Sequence, residues 1–142
     1  MRKLKGEGNM ELFKDIDEIT IEKIKKIIEI KNGEKVNANK TFQTWWITGA
    51  DAESELEFRV SRLGNAALII SRVNFPIKRV GTMTNIFLIL KQFCEKEKIA
   101  QIKVQSVETK EMMDWCIKNG FFAAEFNIQI EDVLSGDYIY TV

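Results

Sequence analysis

The longest ordered pattern of apolar residues in this chain lies between residues 66 and 98. Ala66 to Val73 is apolar except at Ser71 and Arg72, which predicts a central strand covered on both faces. The strand should end at Pro76, because proline has no amide hydrogen for a sheet ladder. Apolar residues then recur at helical spacing and predict a helix from about Thr82 to Lys98. The apolar stripe of this helix consists of Met83, Ile86, Phe87, Leu90, Phe93 and Cys94.

The turn between this strand and this helix is suited to an anion. The first amides of a helix have no internal partner, and the helix dipole adds positive potential there. Gly81 lets the backbone approach a ligand, and the cations Lys78 and Arg79 lie beside it. Thr82 or Thr84 is expected to cap the helix. The pattern favours a phosphate or pyrophosphate. The alternative is a turn that needs a glycine and carries two solvated cations.

Before residue 66 the pattern predicts one helix and three strands, one of them a short edge strand. Ile21, Ile24, Ile27 and Ile28 share one face of a helix from Glu18 to Lys31, which Asn32–Gly33 ends. The remaining elements are a loose arm at 1–10, a short edge strand near 10–13, a polar loop at 34–40, and strands at 42–48 and 56–61.

After residue 98 the chain predicts a second strand–helix–strand unit. Ile102 and Val104 alternate with polar residues in a strand from Gln101 to Val107, which should lie parallel to the central strand because a helix connects the two. The remaining elements are a helix at 109–119 with Gly120 at its C-cap position, a strand at 121–130 and a last strand at 138–142. The expected fold is α+β: a mixed sheet, with an antiparallel meander, a βαβα unit and helices on both faces.

Composition narrows the classes of function. The chain has 142 residues, 21 of them basic and 21 acidic, so it carries no net charge that would attract nucleic acid or an anionic membrane. No apolar run reaches spanning length, and the first residues lack a signal-peptide core. We therefore expect one domain, residues 1–142, in the cytoplasm. The chain has no histidine and only two cysteines, Cys94 and Cys116, so neither a histidine base nor a metal site is expected.

Two segments resemble landmarks of the GNAT family of N-acetyltransferases. Lys-Arg-Val-Gly-Thr-Met at 78–83 resembles the acyl-CoA loop Gln/Arg-x-x-Gly-x-Gly/Ala, with Met83 at the final Gly/Ala. Residues 109–121 resemble Asn-x-x-Ala-x-x-x-Tyr-x-x-x-Gly-Phe: Gly120 and Phe121 match, whereas Thr, Met and Cys stand at the Asn, Ala and Tyr positions. The resemblance covers about residues 42–128 and implies a GNAT fold.

The resemblance also implies a cofactor, acetyl-CoA or CoA, and residues to bind it. Pyrophosphate would bind the loop amides, and pantetheine would pair with the end of the central strand. In this chain the implied cofactor-binding residues are Val73, Asn74, Phe75, Lys78, Arg79, Val80, Gly81, Thr82, Met83 and Thr84. Cys116, at the tyrosine position, is the candidate acid that reprotonates the CoA thiolate, and the alternative is that it packs in the core. Glu55 and Glu57 are the nearest candidate bases.

Two functions follow from the resemblance. The chain is either an N-acetyltransferase that transfers an acetyl group from acetyl-CoA to an unknown amine, or a GNAT-fold module without catalysis that binds CoA or a protein partner. A homodimer is also compatible with the sequence, whereas neither a membrane nor nucleic acid is expected as a partner. The changes at Met83 and Cys116 favour the module, and the Lys-x-x-Gly at the helix start favours the enzyme.

Overall fold

The computed structural model of this chain describes residues 14–142. The predicted arm at 1–10 and the edge strand near 10–13 lie outside the described residues. The helices are α1 (Glu18–Asn32), α2 (Thr82–Glu97) and α3 (Lys110–Lys118). The strands are β1 (Val36–Thr41), β2 (Thr44–Gly49), β3 (Glu57–Leu63), β4 (Ala67–Asn74), β5 (Gln101–Val107), β6 (Phe122–Ala123), β7 (Ile128–Ile130) and β8 (Val133–Thr141).

All eight strands belong to one mixed sheet in the order β1-β2-β3-β4-β5-β8-β6, with β7 paired to β8 outside this path. Strands β2 to β4 form the predicted antiparallel meander, and β1, which was not predicted, extends it at the edge by pairing antiparallel with β2. Strand β4 is parallel to β5, and β8 is antiparallel to β5, β6 and β7. The mixed fold and the parallel pair at its centre are therefore confirmed. The prediction of one domain for residues 1–142 stays a prediction.

The core lies between one face of the sheet and the helices. One row across the sheet illustrates that face: Trp45, Val60, Ile70, Val104 and Tyr138 are in register and all buried. The connections β4–α2–β5 and β5–α3–β6 both advance in the same direction along the sheet. Right-handed crossovers therefore place α2 and α3 on the same face.

Helix α1 packs on this face too, since it contacts α2 and the Nε1 of Trp45 donates to the Ile16 carbonyl oxygen just before α1. The three helices of residues 14–142 thus lie on one face, whereas the sequence predicted helices on both. On the opposite face β4 is only partly covered: Ile69 is half-buried and Arg72 is exposed.

Three further segments differ from the prediction. Residues 34–40, predicted as a loop, contain most of strand β1, in which only Val36 is fully buried. A polar strand at the sheet edge carries no apolar alternation, so the pattern could not reveal it. The single strand predicted at 121–130 is divided into the short strands β6 and β7, and β8 begins at Val133, five residues earlier than expected.

The first helix begins and ends as its sequence predicts. The Asp17 side chain accepts a hydrogen bond from the Thr20 amide at 2.8 Å, which caps α1, and Gly33 follows its last residue with φ 67°. At the end of α3 the C-cap is Asn119, and Gly120 follows it with φ 88°. No helix in residues 14–142 combines the length and the apolar character needed to cross a bilayer.

Candidate functional site

A cleft opens where the two parallel strands separate. Strands β4 and β5 are paired from Ala67–Gln101 to Ile70–Val104 and no further. Each strand is irregular directly beyond that point. In β4 the pairing with β3 skips Ser71, and in β5 the pairing with β8 shifts after Val104. Because a bulge bends its strand and disrupts the ladder, two bulges at the same level separate the carboxyl ends of β4 and β5.

The separation leaves an unpaired backbone edge inside the cleft. Beyond Ile70, β4 is paired only with β3, so the amides and carbonyls on its other edge have no strand partner. The cleft has a volume of about 600 Å³. Its walls come from residues 70–74 of β4, the loop after β4, residues 104–107 of β5, the two residues that follow β5, and the N-terminal parts of α2 and α3. It is large enough for part of an elongated ligand, and an extended chain with amides can pair with its wall.

The loop between β4 and α2 supplies the anion-binding part of the cleft. Gly81 is the N-cap of α2, has φ 81°, and makes no side-chain capping bond. A Cβ placed on Gly81 would meet no atom within 4 Å, so the space beside the backbone is open. The amides of Thr82, Met83 and Thr84 precede the first intrahelical bond, which the Asn85 amide donates to the Gly81 carbonyl. An uncapped helix start of this kind is a suitable site for a phosphate.

Neither threonine caps α2, contrary to the sequence-based expectation. Thr82 Oγ1 accepts a hydrogen bond from Asn32 Nδ2 at 3.2 Å, and Thr84 Oγ1 accepts one from Trp115 Nε1 at 3.0 Å. Both hydroxyls therefore connect α2 to another element. The amides at the helix start are left to a ligand or to water.

Three cations lie along the cleft. Lys78 and Arg79 are on the loop, and Arg72 is near the end of β4. The side chain of Arg79 is 86% exposed, and its Nε lies 3.8 Å from Glu111 Oε2 on α3. Because both members of this pair are exposed, the interaction is weak and leaves Arg79 able to turn toward an anion.

The structure brings together nearly all the residues named for the cofactor. Val80 is exposed and does not line the cleft, whereas the other nine do. Those nine are Val73, Asn74, Phe75, Lys78, Arg79, Gly81, Thr82, Met83 and Thr84. Met83, the residue at the Gly/Ala position of the family pattern, is 7% exposed and belongs to the hydrophobic core. Met83 is thus packed in the core as well as lining the cleft.

Cys116 does not line the cleft. It is completely buried in the core, and burial raises the pKa of its thiol to about 12. This arrangement supports core packing rather than proton transfer. The neighbouring residue, Trp115, faces the cleft instead and packs edge-on against Phe87 of α2 at 5.6 Å between ring centroids. Cys94 is also fully buried, and desolvation likewise raises its pKa to about 12.

The candidate bases on β3 and before it lie outside the main cleft. Glu55 and Glu57 line a separate hollow, which shares Arg72 and Asn74 with the cleft. Glu57 forms ion pairs with Arg59 Nη2 at 2.9 Å and with Arg72 Nε at 3.2 Å. It is therefore part of an ion-pair network.

The carboxylates of the cleft itself come from the end of β5 and the start of α3. They are Glu108 and Glu111, both exposed. Sequence reasoning did not select them, nor Trp115, for this site. The available signal was topological: ligands of open sheets bind at the carboxyl ends of parallel strands, and the ends of β4 and β5 are adjacent. Among residues 14–142 no three Asp, Glu, Cys or His side chains are grouped as a metal site requires.

The class of fold is defined by a sheet that separates between two parallel strands, with the start of a helix at the gap. Comparisons with known structures agree with this fold. The chain matches no protein-family model and no curated protein sequence. A crystal structure from Lactobacillus plantarum, described as that of an N-acetyltransferase, matches with a TM-score of 0.50 and 6% identity over 88% of this chain and 92% of the other. Because the match covers nearly all of both chains, this chain has the GNAT fold.

Two further solved structures are similar to this chain. Ard1 from Thermoplasma volcanium has a TM-score of 0.48 and 14% identity over 91% of this chain and 95% of its own. The PaiA N-acetyltransferase from Thermoplasma acidophilum, solved in complex with coenzyme A, has a TM-score of 0.49 and 11% identity over 70% of this chain. The match spans 61% of the PaiA chain, less than two thirds of its length.

Proposed function

We propose that this chain binds acyl-CoA in the cleft between β4 and β5 and transfers the acyl group, acetyl in the simplest case, to an amine. One observation carries the proposal: the unpaired edge of β4 leads to the uncapped start of α2 in one continuous cleft. The first feature suits an extended ligand with amides, and the second suits a phosphate. Few ligands combine an extended chain of amides with a phosphate group. CoA does, because it contains both pantetheine and a pyrophosphate.

Different residues of the cleft would bind different parts of the ligand. The amides of Thr82, Met83 and Thr84 would donate to the pyrophosphate oxygens, with Lys78 and Arg79 as added positive charge. The free backbone edge of Val73 and Asn74 would pair with the pantetheine amides. The ligand supplies an activated thioester, so a C–N bond to the amine replaces the C–S bond.

The amine must lose a proton, and Glu108 is the best-placed carboxylate of the cleft. It lines the cleft and makes no ion pair with another residue of the range 14–142, unlike Glu111. A base within reach of the amine contributes about 10²–10⁴ in rate. The cytoplasm remains the predicted location, and the acceptor amine is an unidentified small molecule, peptide or protein.

The burial of Cys116 favours a second candidate function. Because no acid is available at the family's tyrosine position, the alternative is a module that binds CoA or a protein partner and has lost acyl transfer. Water can still protonate a thiolate that leaves into an open cleft, so the burial of Cys116 alone does not exclude acyltransferase activity. The module predicts the same CoA binding without turnover.

Calorimetry with acetyl-CoA on two matched glycine variants tests the proposal. Gly81 and Gly64 both have positive φ and open space at Cβ, but Gly64 lies in the β3–β4 turn at the other end of the sheet. Gly81→Asp places a carboxylate at the start of α2 and should weaken acetyl-CoA binding by at least about tenfold, as expected for loss of a charge-assisted contact. Gly64→Asp likewise places an aspartate at a positive φ with open space at Cβ, and it should leave the affinity unchanged.

Turnover then separates the two functions. Free thiol is measured while acetyl-CoA is incubated with a panel of amines, for the wild type and for Glu108→Gln. Turnover that Glu108→Gln reduces by about 10²-fold or more supports the transferase with Glu108 as base. Binding without turnover on any amine supports the module. No calorimetric heat with millimolar acetyl-CoA would contradict the transferase and the module that binds CoA, and would leave the module that binds a protein partner.

A further inference from the structure

Asn32, the last residue of α1, contacts both ends of the loop between β4 and α2. Its side chain is buried, with 5% exposure. The Ile77 amide donates to Asn32 Oδ1 at 2.9 Å, and Asn32 Nδ2 donates to Thr82 Oγ1 at 3.2 Å. These partners are 45 and 50 residues away in the sequence. One side chain of the first helix therefore holds the two points between which the loop runs.

The residues between these two points have little else to hold them. Residues 78–81 are all exposed, and two of them, Arg79 and Gly81, have positive φ values of 60° and 81°. A short exposed loop with this backbone has many alternative conformations, and ordering it on binding would reduce affinity. A buried amide that satisfies a donor at one end and an acceptor at the other restricts those alternatives in advance.

We propose that Asn32 is a positioning residue for this loop, residues 77–82, and that it orders the loop amides before the pyrophosphate binds. Asn32 does not line the cleft, so it acts through Ile77 and Thr82. The inference rests on the proposed function in one respect, that the anion is the pyrophosphate of CoA. It also couples the end of α1 to the start of α2, two elements far apart in the sequence.

Three variants isolate this role. Asn32→Leu keeps a side chain that branches at Cγ, although a larger one, and removes both hydrogen bonds. Thr82→Val removes only one and keeps the bond from the Ile77 amide. Asn127→Leu is the matched control: Asn127 is half-buried, and its Nδ2 donates to the Asp137 carbonyl at 3.0 Å, in the β7–β8 region outside the cleft.

Binding of two ligands is compared in each variant. Acetyl-CoA should bind about tenfold more weakly to Asn32→Leu, the effect expected for one or two lost hydrogen bonds, and by a smaller factor to Thr82→Val. Asn127→Leu should bind it as the wild type does. S-acetylpantetheine, which has no pyrophosphate, should bind all four proteins equally. An equal loss for both ligands, or no loss for either, would overturn the positioning role.

Hydrogen exchange of the ligand-free proteins provides a readout that does not depend on CoA. In Asn32→Leu the Ile77 amide should exchange at least about tenfold faster, because its acceptor is gone, while amides in the centre of α1 and in β3 should exchange at the wild-type rate. Unchanged exchange at Ile77, or faster exchange throughout, would overturn the inference. If the wild type binds no acetyl-CoA, the proposed function fails, and this exchange result alone decides whether Asn32 holds the loop. If Asn32→Leu does not fold, Thr82→Val carries the ligand comparison.

Discussion

At the scale of single residues, a one-position shift on α3 decides which side chain meets the cleft. The family pattern puts its tyrosine at the position of Cys116, but Cys116 is in the core and Trp115 lines the cleft. Consecutive residues on a helix point about 100° apart, so a rotation of the helix by about that angle would exchange them. The sequence could not fix this rotation, because α3 carries apolar residues around much of its circumference. They are Met112, Met113, Trp115, Cys116 and Ile117.

The first prediction concerns the buried thiol. Cys116→Ala should lower the free energy of unfolding by about 1 kcal/mol, a small-cavity effect, and leave acetyl-CoA affinity and any turnover unchanged. Since its pKa is about 12, native Cys116 should also resist alkylation at neutral pH. Denaturant unfolding measures the loss of stability, and the thiol-release assay measures turnover. Cys94→Ala, at an equally buried thiol on α2, is the control. A turnover loss of about 10²-fold in folded Cys116→Ala would show that Cys116 takes part in the chemistry.

The second prediction concerns the residue that departs from the acyl-CoA loop pattern. From sequence alone, a glycine at Met83 would be expected to keep or improve binding, but its side chain packs in the core. Met83→Ala should lower the free energy of unfolding by about 2–4 kcal/mol and give no gain in acetyl-CoA affinity. Met113→Ala, at a half-buried methionine of α3, should cost less. A stable Met83→Ala with tighter binding would mean that the methionine obstructs the loop amides.

At the scale of elements, the predictable parts are those that bury one complete face. Helix α1 buries Ile21, Ile24 and Ile28, and its predicted bounds agree with the observed ones to within one residue. Strand β5 buries Ile102 and Val104 on alternate positions and was predicted with its observed bounds. The edge strand β1 buries too little to give a signal. The two bulges that open the cleft depend on the pairing of neighbouring strands, which no local pattern contains.

The cap of α1 gives a prediction about pH. Partial burial opposes ionisation of Asp17, but hydrogen bonds from Thr20 and the charge of Lys96 outweigh it, so its pKa lies below the usual value of 3.8. A carboxyl group with a lowered pKa stabilises the fold above its unfolded-state pKa and loses this effect as pH falls through the folded pKa. Asp17→Ala should therefore lower the free energy of unfolding by about 1 kcal/mol at pH 7, and by less below about pH 4.

Urea unfolding at both pH values measures this difference. Asp114→Ala is the control, because Asp114 is an exposed helical aspartate that pairs with Lys110 at 2.7 Å and caps no helix. Its removal should change stability by a few tenths of a kcal/mol. An equal loss for Asp17→Ala at pH 7 and pH 3 would indicate that the cap acts without its charge.

At the scale of the whole molecule, the cleft divides the sheet. The strands β1 to β4 form one part and β5, β8, β6 and β7 the other, and only four residue pairs join them, Ala67–Gln101 to Ile70–Val104. A ligand seated between β4 and β5 would add contacts to both parts. The overall order of elements is predictable from the sequence and is that of a GNAT fold, whereas the depth of the division is set by the paired bulges.

The last prediction concerns the thermal stability of the protein with acetyl-CoA bound between the two parts of the sheet. A ligand that binds only the native state stabilises it by RT ln(1 + [L]/Kd), so each tenfold increase in acetyl-CoA above its Kd should add about 1.4 kcal/mol. For a chain of this length that raises the melting temperature by roughly 3–5 °C per decade, without saturation. Thermal unfolding over three decades of acetyl-CoA should therefore give a straight line against log concentration, and Gly81→Asp should shift that line to higher concentration while Gly64→Asp does not. A rise that saturates would mean that acetyl-CoA also binds the unfolded chain. A rise that Gly81→Asp leaves in place would mean that acetyl-CoA stabilises the protein elsewhere than at the start of α2.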